Sequence, residues 1–189
     1  MRSRANTYTY QTIRPDSPVR EIIIRTAAGN RRRGWLSLDG RTIPVALGRG
    51  GILTGKREGD GGTPRGVFHP VRLWWRADRH ARPRTALPVR RITVHDAWSE
   101  DPADRRYNQP IRIGDGEPGD RLKREDHLYD FIIEIDHNTN PRIPGHGSAV
   151  FLHLARANFA PTAGCVGMTR QAMLRLLARI GPQTRIVID

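Results

Sequence analysis

Only one stretch of this chain, Thr169 to Ile180, carries a sustained helical repeat. Met173, Leu174, Leu176, Leu177 and Ile180 fall on its predicted buried side, Thr169 suits the N-cap, and Gly181-Pro182 stops it. A chain with a single helix must build its core from strands, and the remaining apolar runs read that way. Glu21 to Thr26, Arg33 to Leu38, Arg41 to Leu47, Gly66 to Trp75, Leu128 to Asp136 and Thr184 to Ile188 are short and alternating or apolar. Asp39-Gly40 is a type I′ hairpin signal between the second and third. Trp74-Trp75 is expected to pack on a sheet. The pattern predicts a mainly β or α+β fold, and 189 residues suffice for one domain with its own core.

Chemistry concentrates in Ser148-Ala149-Val150-Phe151-Leu152-His153-Leu154 and the following Pro161-Thr162-Ala163-Gly164-Cys165-Val166-Gly167. In an extended run Val150, Leu152 and Leu154 share one face, while Ala149, Phe151 and His153 share the other. His153 is thus a polar exception on an apolar strand, near the only cysteine of the chain. A core histidine satisfied by a backbone carbonyl and a buried, inert cysteine account for the same residues. The flanking glycines point elsewhere, because they permit a sharp turn and close approach of a substrate carbonyl to backbone N–H groups. A thiolate nucleophile with an imidazole base is the chemistry this pairing supports, and a helix starting near Thr169 would lower the thiol pKa.

These residues resemble the L,D-transpeptidase catalytic domain, the YkuD family. His153, an intervening loop and Gly164-Cys165-Val166 look like its signature, and Lys56-Arg57-Glu58-Gly59-Asp60-Gly61-Gly62-Thr63-Pro64-Arg65-Gly66-Val67-Phe68 is similar to its glycine-rich Thr-Pro-x-Gly turn. The resemblance spans residues 20 to 189 and implies a mixed β-sandwich-type sheet with the C-terminal helix packed on it. It departs from the family pattern at Ala163, where a histidine is usual, and at Gly167, where Arg or Asn is usual. The oxyanion role would then pass to backbone N–H groups around Gly164 and Cys165, or to another side chain. A backbone carbonyl often orients the family's histidine, and no carboxylate neighbours His153 in the sequence.

The resemblance implies two-step acyl transfer on peptidoglycan tetrapeptide stems, with Cys165 as nucleophile and His153 as general base. Cleavage after the L-centre of diaminopimelate would release D-alanine. Water as acceptor makes an L,D-carboxypeptidase of recycled muropeptides; an amine from a second stem makes 3-3 cross-links. Hydrolysis is favoured by the departures at Ala163 and Gly167 and by the lack of an export signal or wall-binding module in the sequence. Residues 95 to 127 show no sustained periodicity and read as a long loop or lid. Asp104-Arg105-Arg106-Tyr107-Asn108 resembles a segment of compact family members, so Arg105, Arg106, Tyr107, Asn108, Arg156 and Thr162 are the expected substrate-facing residues.

Composition bounds the alternatives. The formal charge is +13, and Lys56 and Lys123 are the only lysines among 32 basic residues. This favours acidic partners, including substrates with several carboxylates, although arginine-biased codon usage produces the same preference. Nucleic acid is disfavoured because the arginines are spread along the chain without a recognisable binding module. A non-catalytic muropeptide-binding protein is a further alternative. A lone cysteine excludes an intramolecular disulfide. No Gly-Lys-Ser/Thr triplet opens a helix at the glycine-rich loop of 48 to 62, and His127, His137, His146, His153 and Cys165 lack metal-ligand spacing, so no cofactor or metal is expected. Residues 1 to 19 read as a flexible arm without the apolar run of a signal peptide, and no stretch reaches the length of a membrane span, so a cytoplasmic location is expected.

Overall fold

The computed structural model describes residues 18–189. The expected arm therefore lies almost wholly outside the described residues; Val19 is already anchored, its N–H donating to the Arg179 carbonyl at 2.7 Å. In chain order the first strands are β1 (Glu21–Ala27), β2 (Asn30–Leu38), β3 (Arg41–Ala46), β4 (Ile52–Leu53), β5 (Thr63–Pro64), β6 (Gly66–Phe68), β7 (Pro70–Trp75) and β8 (Val89–Arg91). There follow β9 (Asp96–Trp98), β10 (Pro110–Arg112), β11 (Asp120–Arg121), β12 (Phe131–Ile135), β13 (Phe151–Leu154), β14 (Val166–Met168), the helix α1 (Arg170–Leu177) and β15 (Arg185–Ile188).

Ten strands form one mixed sheet in the order β6-β15-β1-β2-β3-β14-β13-β12-β7-β8. β6 and β7 are separated only by His69, yet β6 is one edge and β7 lies next to the other. The sheet must therefore curl until its two ends approach, and it encloses Ile22, Ile24, Leu36, Leu73, Ile133, Leu152 and Ile186. The run Gly66 to Trp75 is thus two strands serving opposite ends of the sheet instead of one. Between β2 and β3 the chain turns at Asp39 (φ 50°) and Gly40 (φ 71°), the paired left-handed geometry of a type I′ hairpin.

The helix closes the enclosed core with Ala172, Met173, Leu176 and Leu177, capped by the Thr169 hydroxyl accepting from the Ala172 N–H at 3.2 Å. It is shorter than its sequence pattern, and Leu174, expected on the buried side, is 39% exposed. The described residues are mostly β with one helix, and among them no helix is long and apolar enough to cross a membrane.

Residues 95–127 differ most from expectation. They contain β9, β10 and β11, which form a separate three-stranded sheet in the order β10-β9-β11. Trp98 from this layer packs edge-on against Phe151 at 5.0 Å, within a second apolar cluster that includes Trp74, Ile132, Leu122 and Cys165. β12 and β13 are consequently covered on both faces, which explains why Ile132 is as buried as Ile133. The segment is a packed layer over the outer face of the main sheet.

Candidate active site

The alternation of β13 decides the site. Val150, Leu152 and Leu154 enter the enclosed core, while Ala149 and Phe151 join the second cluster beside Cys165. His153 shares that outer face and is 6% exposed. β14 runs parallel to β13 with Leu152 opposite Val166 and His153 opposite Gly167. Cys165 directly precedes β14 and so falls beside Phe151, whose N–H donates to Sγ at 3.3 Å. The thiol donates to the Ala149 carbonyl at 3.2 Å. Both side chains open into one cavity of about 310 Å³, bordered also by Arg49, Arg124, Tyr129, Arg156 and Thr162.

His153 Nδ1 lies 2.8 Å from the Leu154 carbonyl oxygen. A carbonyl can only accept, so this contact puts the proton on Nδ1 and leaves Nε2 bare. Burial pushes the imidazole pKa down to about 4, despite the favourable carbonyl contact. Burial likewise pushes the Cys165 thiol up to about 12, against the opposing pull of the Phe151 N–H. The resting pair is neutral. The expected lowering of the thiol pKa by a helix terminus is not found, because β14 intervenes between Cys165 and α1.

The turn before Cys165 is held by Thr162, whose hydroxyl donates to the Cys165 carbonyl at 2.6 Å and accepts from the Gly164 N–H at 3.1 Å. Gly164 adopts φ +150°, and a Cβ there would stand 2.9 Å from the Gly62 carbonyl oxygen. Gly62 belongs to the upstream glycine-rich motif, so the two motifs noted in the sequence meet behind the sulfur. Lys56 of the same motif is buried and paired with Asp60 at 2.5 Å. Thr63 Oγ1 accepts from the Gly48 N–H at 2.9 Å, fixing the loop beside Arg49.

A smaller cavity of about 120 Å³ also borders Cys165, lined by Lys56, Glu58, Glu100 and Ser148 and, shared with the first, Arg49 and Tyr129. The Glu100 carboxyl is raised to about 7 by burial and by nearby Asp120 and Glu58. Tyr129 borders both spaces: its hydroxyl donates to Asp120 at 2.9 Å and its ring meets His153 edge-on at 5.4 Å. Arg124 stacks on the Tyr129 ring at 5.0 Å and grips Asp126 through two hydrogen bonds of 2.9 and 2.7 Å.

Of the residues expected to face substrate, the structure brings Thr162 and Arg156 to the cavity with His153 and Cys165. Tyr107, Asn108, Arg105 and Arg106 stand elsewhere. Tyr107 is buried and donates to Glu58. Asn108 is buried at φ 54°, accepts from Trp98 Nε1 and the Ala149 N–H, and donates to the carbonyls of His137 and Asn138. Its hydrogen-bonding capacity is spent on the fold. Arg105 and Arg106 border outer hollows, and Arg106 is paired with Asp104 at 2.8 Å. The segment supports the cysteine from behind through Ala149. Arg49, Tyr129, Glu58, Glu100 and Asp120 were not singled out from the sequence. Only Glu58, within the glycine-rich motif, carried a signal that could have marked it.

A family model of the L,D-transpeptidase catalytic domain, YkuD, matches residues 20–188. No curated protein matches the chain. Among solved structures, an L,D-transpeptidase from Mycobacterium smegmatis is similar at 12% identity and a TM-score of 0.42, covering 89% of this chain and 58% of that one. L,D-transpeptidase 3 from Mycobacterium tuberculosis is similar at 10% identity and a TM-score of 0.42, covering 89% and 60%. An Enterococcus faecium L,D-transpeptidase carrying a C442S substitution is similar at 12% identity and a TM-score of 0.37, covering 89% and 49%. The chain thus spans about half to three-fifths of the length of these structures.

Proposed function

Because this chain belongs to the YkuD family of L,D-transpeptidase catalytic domains, we propose that it transfers acyl groups of peptidoglycan stem peptides through Cys165. The observation that carries this reading is the Leu154 carbonyl on His153 Nδ1, which leaves Nε2 bare in the cavity shared with Cys165. In the first step Sγ attacks a peptide carbonyl as its proton passes to Nε2, and the imidazolium then protonates the leaving amine. The neutral resting pair suits concerted proton removal, since no preformed thiolate is required. Backbone N–H groups of the Gly164-Cys165 turn would hold the oxyanion, Gly164 exchanging its bond from the Thr162 hydroxyl.

The substrate we propose is the tetrapeptide stem, cleaved after the L-centre of its diaminopimelate with release of D-alanine, and water is the favoured acceptor. The absence of side chains beyond a methyl at Ala163 and a hydrogen at Gly167 supports simple hydrolysis. The size of the cavity on the His153 side favours a second reading, in which an amine from another stem accepts the acyl group. Incubation of disaccharide-tetrapeptide, with and without a second stem and beside a Cys165→Ala control, separates the two by mass spectrometry. Loss of D-alanine alone supports hydrolysis; a cross-linked dimer supports transpeptidation; no product in either case rejects the proposal.

A further inference from the structure

Two cavities border Cys165, and their ionisable linings differ. The larger holds His153 and three guanidinium groups, from Arg49, Arg124 and Arg156. The smaller is mixed, bordered by Glu58 and Glu100 together with Lys56 and the shared Arg49. Proton transfer settles which part of a peptide occupies which space. The imidazole that takes the thiol proton must return it to the departing amine, so the leaving residue lies on the His153 side.

The three guanidiniums on that side are not equivalent. Arg124 is already committed to Asp126 and to the Tyr129 ring. Among the described residues Arg49 donates one side-chain hydrogen bond, to the Gly59 carbonyl at 3.3 Å. Among the described residues no carboxylate lies within 4.0 Å of Arg49 or Arg156. Arg49 is also fixed relative to the sulfur: its N–H donates to the Thr162 carbonyl at 3.0 Å and the Thr162 N–H donates to Leu47 at 2.9 Å. Arg156 lies three residues after His153 on the same segment.

We propose that Arg49 and Arg156 clamp the free α-carboxylate of the residue that leaves, making them the residues that set an exo-acting specificity. This rests on the reading of Cys165 as an acyl-transfer nucleophile. The S–C bond forms as the thiol proton goes to His153 Nε2. The C–N bond then breaks, the imidazolium proton goes to the amine, and an amino acid departs with its carboxylate between the guanidiniums. His153 and Arg156 border only the larger of the two cavities, so a leaving residue placed in the smaller one would meet neither the proton donor nor the full clamp. An α-carboxylate stands two bonds from the leaving amine, which places it beside the imidazole and within the space these arginines border.

Two measurements on the full chain test this. The first compares alkylation of Cys165 by iodoacetate and iodoacetamide, which differ by one carboxylate next to the reacting carbon, and needs no peptide substrate. The iodoacetate-to-iodoacetamide rate ratio should fall about tenfold in the Arg49→Gln, Arg156→Gln double variant, the worth of one charge-assisted hydrogen bond. An unchanged ratio overturns the clamp. The second compares tetrapeptide stems ending in D-alanine and in D-alaninamide. The wild type should prefer the free acid by about tenfold or more in kcat/KM, and each Gln variant should lose that preference through KM, with Arg156→Lys retaining part of it. Equal turnover of acid and amide by the wild type overturns the clamp while leaving acyl transfer intact. No turnover of either, with an arginine-dependent alkylation ratio, rejects the peptide reading and supports the clamp.

Discussion

The Cys165 thiol donates to the Ala149 carbonyl at 3.2 Å instead of to the imidazole of His153 on the adjoining strand. Ala149 presents that carbonyl from a left-handed conformation, φ 51°, which a non-glycine residue adopts at a cost. Its N–H is held by Asn108, itself left-handed. The sulfur is therefore parked on a strained carbonyl whose geometry is imposed by a buried asparagine. Substrate must draw the thiol proton away from it toward Nε2.

The His153 shift carries a stability consequence. Its folded pKa is depressed to about 4, below the ordinary value of 6.5, so its contribution is fully present above pH 6.5 and is lost as pH falls toward 4. The loss should amount to on the order of 3 kcal/mol. Urea unfolding between pH 7 and pH 4 should show this decline, and a His153→Asn variant should show a shallower one. The same variant should abolish acyl transfer.

Removing the Asn108 side chain should be among the most damaging changes away from the sulfur. Asn108→Ala would leave Trp98 Nε1, the Ala149 N–H and two carbonyls without their partner. A loss of about 3 kcal/mol or more is expected by denaturant unfolding. A variant as stable as the wild type would contradict the supporting role assigned to this residue.

Gly164→Ala should disable the turn. Its methyl would stand 2.9 Å from the Gly62 oxygen and would force an alanine to φ +150°. The backbone must shift to accommodate it, and a displacement of about 1 Å at the nucleophile is expected to lower kcat roughly a hundredfold. Single-turnover release of the leaving amino acid measures this directly.

Thr162 discriminates a hydroxyl role from a packing role. Thr162→Val removes the bonds to the Cys165 carbonyl and the Gly164 N–H, whereas Thr162→Ser keeps both. The valine variant should lose about tenfold in kcat, in line with about 1.4 kcal/mol for the lost hydrogen bonding, and the serine variant should stay close to wild type. Equal behaviour of the two would rule out the hydroxyl as the positioning group.

The meeting of His153 and Cys165 at one cavity was legible because it rests on local rules. A period of two puts His153 opposite the core face of β13, and a glycine before Cys165 announces a turn no other residue tolerates. The Asp39-Gly40 hairpin was legible for the same reason. β9, β10 and β11 were not, because strands of two or three residues with mixed charge carry no measurable period. Tyr107 and Asn108 misled because polarity in a sequence does not say whether a hydrogen bond goes to substrate or to the protein's own backbone. Arg49, Tyr129, Glu100 and Asp120 come from segments far apart in the chain, so only tertiary structure makes them neighbours of the sulfur.

The position of β15 has a consequence for how the protein is made. This strand lies between β1, to which it is parallel, and the edge strand β6. The curled sheet cannot close during synthesis until Arg185–Ile188 have left the ribosome, although His153 and Cys165 were translated earlier. Until then β1 and β6 expose unpaired edges, so the interval before β15 inserts is the one in which the fold is most open to aggregation and most in need of chaperones.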